Sequence, residues 1–191
     1  DGDTVTIGVV ATTAAPCAPD VLLLAMPRPQ VLLRIYAHAA ALGFGQLVLF
    51  RSWRVDKAHL GSDALTAPVQ QHHLRLGLEQ AGRTRVPKVS LFPLFRPFVE
   101  DHLPRLDLPA ERFVAHPDAP IATAELALAP NAPFALALGP EGGLLPYEVD
   151  RLRAAGFVPV SCGPHALRTE TALAVLAGQL DLLRRRVSVR S

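Results

Sequence analysis

Short apolar runs alternate with longer amphipathic stretches along most of the chain. The runs at 21–26, 46–50 and 134–138 are brief and strongly hydrophobic, as expected of buried strands. The stretches at 29–43 and 66–81 repeat apolar side chains at helical spacing, with proline near the start and glycine after the end. Strands that alternate with helices predict an α/β fold, with a mainly parallel sheet and helices on both faces.

The second half of the chain continues the alternation. Strands are expected at 88–94 and 112–115, with a helical segment at 96–103 between them. The final helix is expected to begin near Thr169. Its apolar stripe consists of Leu173, Leu176, Leu180 and Leu183.

Composition limits the class of protein. With 191 residues, of which 50% are hydrophobic, the chain can bury the core of one domain. The two cysteines, Cys17 and Cys162, lie far apart and outside any metal-ligand spacing, and the pair His72 and His73 lacks further ligands nearby, so we expect neither a disulfide framework nor a metal site. No apolar run is long enough for a membrane span. A reducing cytoplasm is the expected compartment.

The net charge of +2 is small, but the basic residues are clustered. Local clusters matter more than net charge for attracting phosphates. The run at 184–186 ends the last helix and is expected to be a solvated helix end. The candidate RNA contacts are Arg51, Arg54, Lys57, Arg83 and Arg85. Trp53 lies within the first cluster and is a candidate for stacking on a base, with packing in the core as the alternative.

Two glycine-bearing segments near the end of the chain carry the strongest functional signal. GPEGG at 139–143 and GPHALRTETA at 163–172 each follow an apolar run and lead into a helical pattern. The carboxyl ends of parallel strands meet at one edge of a sheet, where glycine lets a ligand approach bare backbone groups. The sequence therefore predicts a small-molecule pocket built largely from main chain.

These two segments, in this order and spacing, resemble the signature of the SPOUT-class RNA methyltransferases, and more narrowly of the ribosomal RNA small subunit methyltransferase E family. The resemblance covers residue 21 to the C-terminus. It implies a C-terminal trefoil knot, S-adenosylmethionine as methyl donor, and uridine N3 in 16S ribosomal RNA of the small subunit as target. It also implies main-chain contacts with the donor at Leu138, Gly139, Gly143, Cys162, Gly163 and Leu167.

The catalytic candidates lie in the second segment. Removal of the uridine N3 proton leaves charge on the uracil, so a base or a cation near the ring would assist the reaction. Arg168 is the candidate cation. Glu170 would accept the proton, organise Arg168, or form a structural ion pair with it. Glu141 is expected to orient the first turn through backbone N–H groups.

The resemblance also sets the expected domains and partners. Residues 21–191 would form the SPOUT methyltransferase domain, and residues 1–20 would be the remnant of an N-terminal PUA-like β-barrel, with one strand at 4–10. Knotted methyltransferases pair through their last helices, so the leucine stripe suggests a homodimer, with burial in the core of a monomer as the alternative. The small ribosomal subunit is the expected partner.

Two other functions stay open at this point. A related knotted enzyme would methylate another RNA position or a ribose 2′-oxygen, and a non-catalytic module would bind the ribosome without turnover. A Rossmann-type methyltransferase and a P-loop phosphate site do not match the positions and residues of the glycine turns.

Overall fold

The computed structural model describes Thr12, Thr13 and residues 15–186. The strand expected at 4–10 lies outside the described residues, so the PUA-like remnant stays a prediction. Among the described residues, no helix combines the length and the apolar character that crossing a membrane requires.

One parallel sheet of seven strands organises the described part of the chain. Its order is β3-β2-β1-β6-β4-β7-β5, and every pairing within it is parallel. The strands are β1 (Val21–Ala25), β2 (Gln46–Phe50), β3 (Lys88–Phe92), β4 (Glu111–Ala115), β5 (Ile121–Ala122), β6 (Phe134–Leu138) and β7 (Val158–Ser161). The predicted α/β class and the mainly parallel sheet are therefore confirmed. The two-residue strand β5 was not predicted, because so short a segment has no periodicity to detect.

Helices connect the strands and cover the sheet. They are α1 (Pro29–Leu42), α2 (Ala67–Ala81), α3 (Phe95–Pro97), α4 (Pro146–Ala154) and α5 (Thr169–Arg186). A π turn (Phe98–His102) and a 3-10 turn (Leu103–Arg105) continue α3. The stretch after β2 contains two further 3-10 turns, Lys57–Gly61 and Asp63–Leu65.

The central strand β1 is buried on both faces, because its alternate residues enter two separate cores. Leu22 and Leu24 belong to the core beneath α1, α2 and α5. Leu23 belongs to the core beneath α4 and the turns that follow α3. The predicted placement of helices on both faces is thus confirmed, and the full burial of β1 explains its unbroken apolar run.

The apolar stripe of α5 faces the interior of the chain itself. Leu173, Leu176 and Leu180 are fully buried in the core beneath α1. Leu183 packs against the same core and is partly buried. The stripe that suggested a homodimer therefore supplies core contacts within this chain, while Leu182 of the same helix is exposed.

The end of α5 also differs from expectation. The Arg184 guanidinium lies 3.0 Å from a carboxylate oxygen of Asp20 and 2.9 Å from one of Asp181, and its carbon is 5.0 Å from the centre of the Phe134 ring. Asp20 also accepts a hydrogen bond from the Phe134 amide at 3.1 Å. The expectation of a solvated arginine is wrong for Arg184, because it compensates a buried carboxylate at the start of β1.

Candidate functional site

The loops that follow β4, β6 and β7 converge at the carboxyl edge of the sheet and enclose a pocket of about 320 Å³. Its lining includes all six positions expected to contact a donor, which are Leu138, Gly139, Gly143, Cys162, Gly163 and Leu167. The loop at 115–118 also lines the pocket and was not predicted. Only the spatial adjacency of β4 to both β6 and β7 places that loop at the site, and a single sequence does not reveal such a crossover.

The first glycine turn, at 139–143, is held from two sides. The Arg28 amide donates a hydrogen bond to a Glu141 carboxylate oxygen at 3.1 Å, which ties the turn to the loop after β1. The Arg54 guanidinium donates to the Gly142 carbonyl and ties the turn to the loop after β2. Glu141 thus orients the turn through a backbone N–H, as predicted.

Glycine is required in this turn for two reasons. A Cβ on Gly139 would lie 3.1 Å from the Leu144 nitrogen and 3.3 Å from the Gly143 Cα, which is tighter than ordinary contacts. Gly143 adopts φ +71°, a left-handed conformation that disfavours other residues. The turn is therefore compact, and its backbone borders the pocket directly.

The second glycine segment, at 162–168, is more loosely attached. Its first residue, Cys162, accepts a hydrogen bond from the Gln179 side-chain amide at 3.3 Å. Its far end meets α5, where the Thr169 hydroxyl donates to the Gly139 carbonyl at 3.3 Å and so joins the two segments. Gly163 has φ +145° and open space where a Cβ would project. The residues at 164–168 are exposed.

Glu170 pairs with an arginine that sequence reasoning missed. Its carboxylate lies 3.0 Å from the Arg34 guanidinium of α1, and its side chain is 16% exposed. The backbone N–H of Glu170 itself, followed by Arg34 and Arg168, holds the pKa of this carboxyl below its ordinary value, although burial opposes the shift. The partner of the structural pair is therefore Arg34. Arg168 is exposed and contributes through its charge.

The basic candidates divide between the two edges of the sheet. Arg51, Arg54 and Lys57 follow β2 at the carboxyl edge, and Arg54 lines the pocket. Arg83 and Arg85 precede β3 at the amino edge, where Arg85 donates to the Ala15 carbonyl at 2.9 Å. The length of β3 therefore separates these two arginines from the pocket.

The described residues contain no group of three or more His, Cys, Asp and Glu side chains that could hold a metal ion.

Comparison with known proteins adds to this geometry. The family model described as an RNA methyltransferase domain matches residues 15–181. The chain belongs to this family. It is similar to the ribosomal RNA small subunit methyltransferase E of Mycobacterium bovis, with 34% identity over 110 residues, covering 58% of this chain and 42% of the relative. It is also similar to the enzyme of that name from Treponema pallidum, with 28% identity over 152 residues, covering 79% of this chain and 57% of the relative. The resemblance drawn from the motifs is thereby confirmed.

Solved structures share the fold. A probable rRNA-methyltransferase from Porphyromonas gingivalis superposes with a TM-score of 0.70 at 19% identity, covering 94% of this chain and 73% of that one. The ribosomal RNA small subunit methyltransferase E from Neisseria gonorrhoeae, bound to S-adenosyl methionine, gives 0.66 at 21% identity, covering 85% and 64%. The chain spans 42% to 57% of the length of the curated relatives named above.

Proposed function

We propose that this chain transfers a methyl group from S-adenosylmethionine to N3 of a uridine in 16S ribosomal RNA of the small subunit. The supporting observation is the pocket that the two glycine segments form together at the carboxyl edge of the sheet. Membership of the RNA methyltransferase domain family and similarity to methyltransferase E proteins support the RNA substrate.

The residues of the pocket fit such a donor. Leu138, Val160 and Leu167 offer apolar surface for the flat adenine, while the bare backbone around Gly139 and Gly163 offers N–H and C=O groups at close range. When bound, the donor supplies an electrophilic methyl group on a sulfonium. The protein's part is to hold that methyl in line with the acceptor and to exclude competing geometries.

Arg168 is the proposed catalytic cation. It lies at the junction of the second glycine segment and α5, next to the pocket-lining residues Leu167 and Thr169. As N3 loses its proton to solvent water, negative charge spreads to the neighbouring carbonyl oxygens, and a guanidinium beside the ring would stabilise it.

Glu170 is proposed to hold neighbouring arginines in position and not to accept the N3 proton. Its carboxylate is already engaged by Arg34, and its lowered pKa makes it a weaker base. Its negative charge would keep Arg34 and Arg168 in place. The distinction is measurable: a Glu170→Gln variant that retains a substantial fraction of kcat supports positioning, whereas loss of kcat by several orders of magnitude would identify the base.

The finer expectations remain proposals. A trefoil knot is supported by the path of the chain, because β7 lies two strands from β6 and yet α5 returns to contact Gly139 and α1. Residues 21–191 would then form the methyltransferase domain.

The basic residues would contact RNA at two places. Arg51, Arg54 and Lys57 would contact the RNA beside the pocket, and Arg83 and Arg85 would contact a more distant part of the RNA. The homodimer and the cytoplasmic location stay predictions, the former testable by sedimentation.

The test is methylation of small ribosomal subunits that lack the modification, with radiolabelled S-adenosylmethionine and mass mapping of the modified nucleoside. We expect 3-methyluridine, and no product from a Gly139→Val variant. A methyl group on a ribose 2′-oxygen or on another base would favour the related knotted enzymes. Donor binding without any transfer would favour a ribosome-binding module.

A further inference from the structure

A second cavity, of about 410 Å³, lies beside the donor pocket at the carboxyl ends of β2 and β3. We call it the aromatic groove, defined by Arg51, Ser52, Trp53, Phe95, Arg96 and Tyr147. The sequence suggested a stacking role for Trp53 alone, and the proposed function uses one residue of this groove, Arg51, as an RNA contact.

Exposed aromatic surface is its main feature. Trp53 is 80% exposed and Tyr147 is 48% exposed, although large aromatic side chains normally bury most of their area. The alternative that Trp53 packs in the core is therefore wrong. Phe95 lies behind Tyr147, with 6.4 Å between the ring centres. Exposed aromatic rings that line one cavity are typical of a binding surface.

The exposed tryptophan is held in place through its backbone. Its amide donates to a Glu148 carboxylate oxygen at 2.8 Å, and the other oxygen accepts from the Leu145 amide at 2.8 Å. Glu148 is only 1% exposed, so this carboxylate fixes both the Trp53 backbone and the start of α4. The backbone that carries the ring is therefore ordered before a ligand stacks on it, which lowers the entropy cost of binding.

Charge and polarity identify the occupant. The Arg151 guanidinium lies 5.2 Å from the centre of the Tyr147 ring, and Arg51 and Arg96 line the groove. Glu100 pairs with Arg96 at 3.0 Å and with Arg151 at 3.7 Å. Around the groove, three arginines are therefore balanced by two carboxylates, Glu100 and the buried Glu148. Arg54 and Lys57 extend the positive charge toward the donor pocket. Aromatic faces combined with arginines suit a base and its phosphate.

The groove adjoins the donor pocket, since Leu144 lines the pocket and Leu145 lines the groove.

We propose that the aromatic groove binds an unstacked base of the RNA strand next to the target nucleotide, with Trp53 and Tyr147 as stacking surfaces. Base stacking is tolerant of sequence, so the groove would set the path of the strand more than its sequence. The proposal rests on the proposed function, because it takes RNA as the substrate.

Trp53 provides its own probe, because it is the only tryptophan in the chain. We would titrate the full chain with a ten-nucleotide oligouridylate, and with an abasic backbone of equal length, while recording tryptophan fluorescence. The expected result is saturable quenching by oligouridylate and little quenching by the abasic strand. Equal quenching by both strands, or none by oligouridylate, would overturn base stacking.

Variants of Tyr147 test the second surface. Tyr147→Ala should weaken oligouridylate binding about tenfold, whereas Tyr147→Phe keeps the ring and should bind within about twofold of the parent. Thermal unfolding of both variants controls for damage to α4. Equal affinity for all three proteins would remove Tyr147 from the site.

Two further outcomes separate this proposal from its alternatives. Quenching by S-adenosylmethionine alone would place the donor's adenine in the groove, and a change in emission with protein concentration alone would indicate an interface between two copies of the chain. Either result overturns the proposal. Methylation of ribosomal subunits without quenching by oligouridylate would refute base binding in the groove and support the proposed methyl transfer. Quenching without methylation would support base binding in the groove and refute the proposed methyl transfer.

Discussion

The two glycine segments that border the donor pocket are built in opposite ways. The first, at 139–143, is fixed by Glu141 to the loop after β1 and by Arg54 to the loop after β2. The second, at 162–168, is anchored at Cys162 by Gln179 and continues as an exposed stretch to α5. One wall of the pocket is therefore preformed, and the other has fewer contacts to hold it.

This difference has a functional consequence. Ordering a loop on binding costs free energy, so a preformed wall raises affinity while a less constrained wall permits entry and release. The proposed catalytic cation, Arg168, lies on the less constrained wall. We expect substitutions in the first segment to affect donor affinity most, and substitutions in the second to affect turnover.

The largest expected effect is from Gly139→Val. The added side chain would press against Gly143 and Leu144 and distort the preformed wall. Calorimetry should show donor affinity reduced by at least about a hundredfold. Gly178→Ala is the matched control, because a Cβ there meets open space in the middle of α5, and the protein should become slightly more stable. Normal donor binding by Gly139→Val would remove the first turn from the site.

Arg168→Ala should have the next largest effect, on kcat rather than on donor affinity. Loss of a cation that acts on charge formed during the reaction should lower kcat by about a hundredfold. Donor affinity should change by less than about threefold, since the side chain would contact the uracil. Arg168→Lys keeps the charge and should recover part of the rate. Equal losses in donor affinity and in kcat would make Arg168 a structural residue.

Glu141→Ala tests the hydrogen bond that holds the first glycine segment, without changing any of its glycines. Removing the acceptor for the Arg28 amide should raise the donor Kd by about fivefold, consistent with the loss of one hydrogen bond. Hydrogen exchange at 139–143 should increase in the same variant. Gln179→Ala is the counterpart for the second segment, and we expect it to have the smaller effect on Kd, because that wall is less constrained before the donor binds. A larger increase in donor Kd for Gln179→Ala than for Glu141→Ala would contradict the comparison of the two walls.

The sequence predicted the backbone of the site better than its side-chain partners. The apolar runs before Gly139 and Cys162 were recognisable as strands, and a glycine in the sequence indicates a position where the backbone turns or is approached closely. The pocket could therefore be located from the sequence. The partners of Glu170 and Arg184 could not, because Arg34 and Asp20 lie 136 and 164 residues away from them in the chain. The same reason hid the contact of Trp53 with Glu148, which depends on how α4 packs beside β2.

The smallest expected effect concerns the Glu170–Arg34 pair at the start of α5. Because the folded state lowers the pKa of Glu170, the ionised carboxylate stabilises the protein at neutral pH, and this contribution fades as the pH falls below the ordinary carboxyl pKa of about 4.3. Glu170→Gln should lower Tm by about 2 °C at pH 7, since Arg34 is half exposed, and the difference should shrink as the pH falls through the lowered pKa of Glu170. Thermal unfolding of Glu170→Gln, Arg34→Gln and the double variant would isolate the coupling between the two side chains. A difference in Tm that persists unchanged at pH 3 would show that Glu170 acts through packing rather than through its charge.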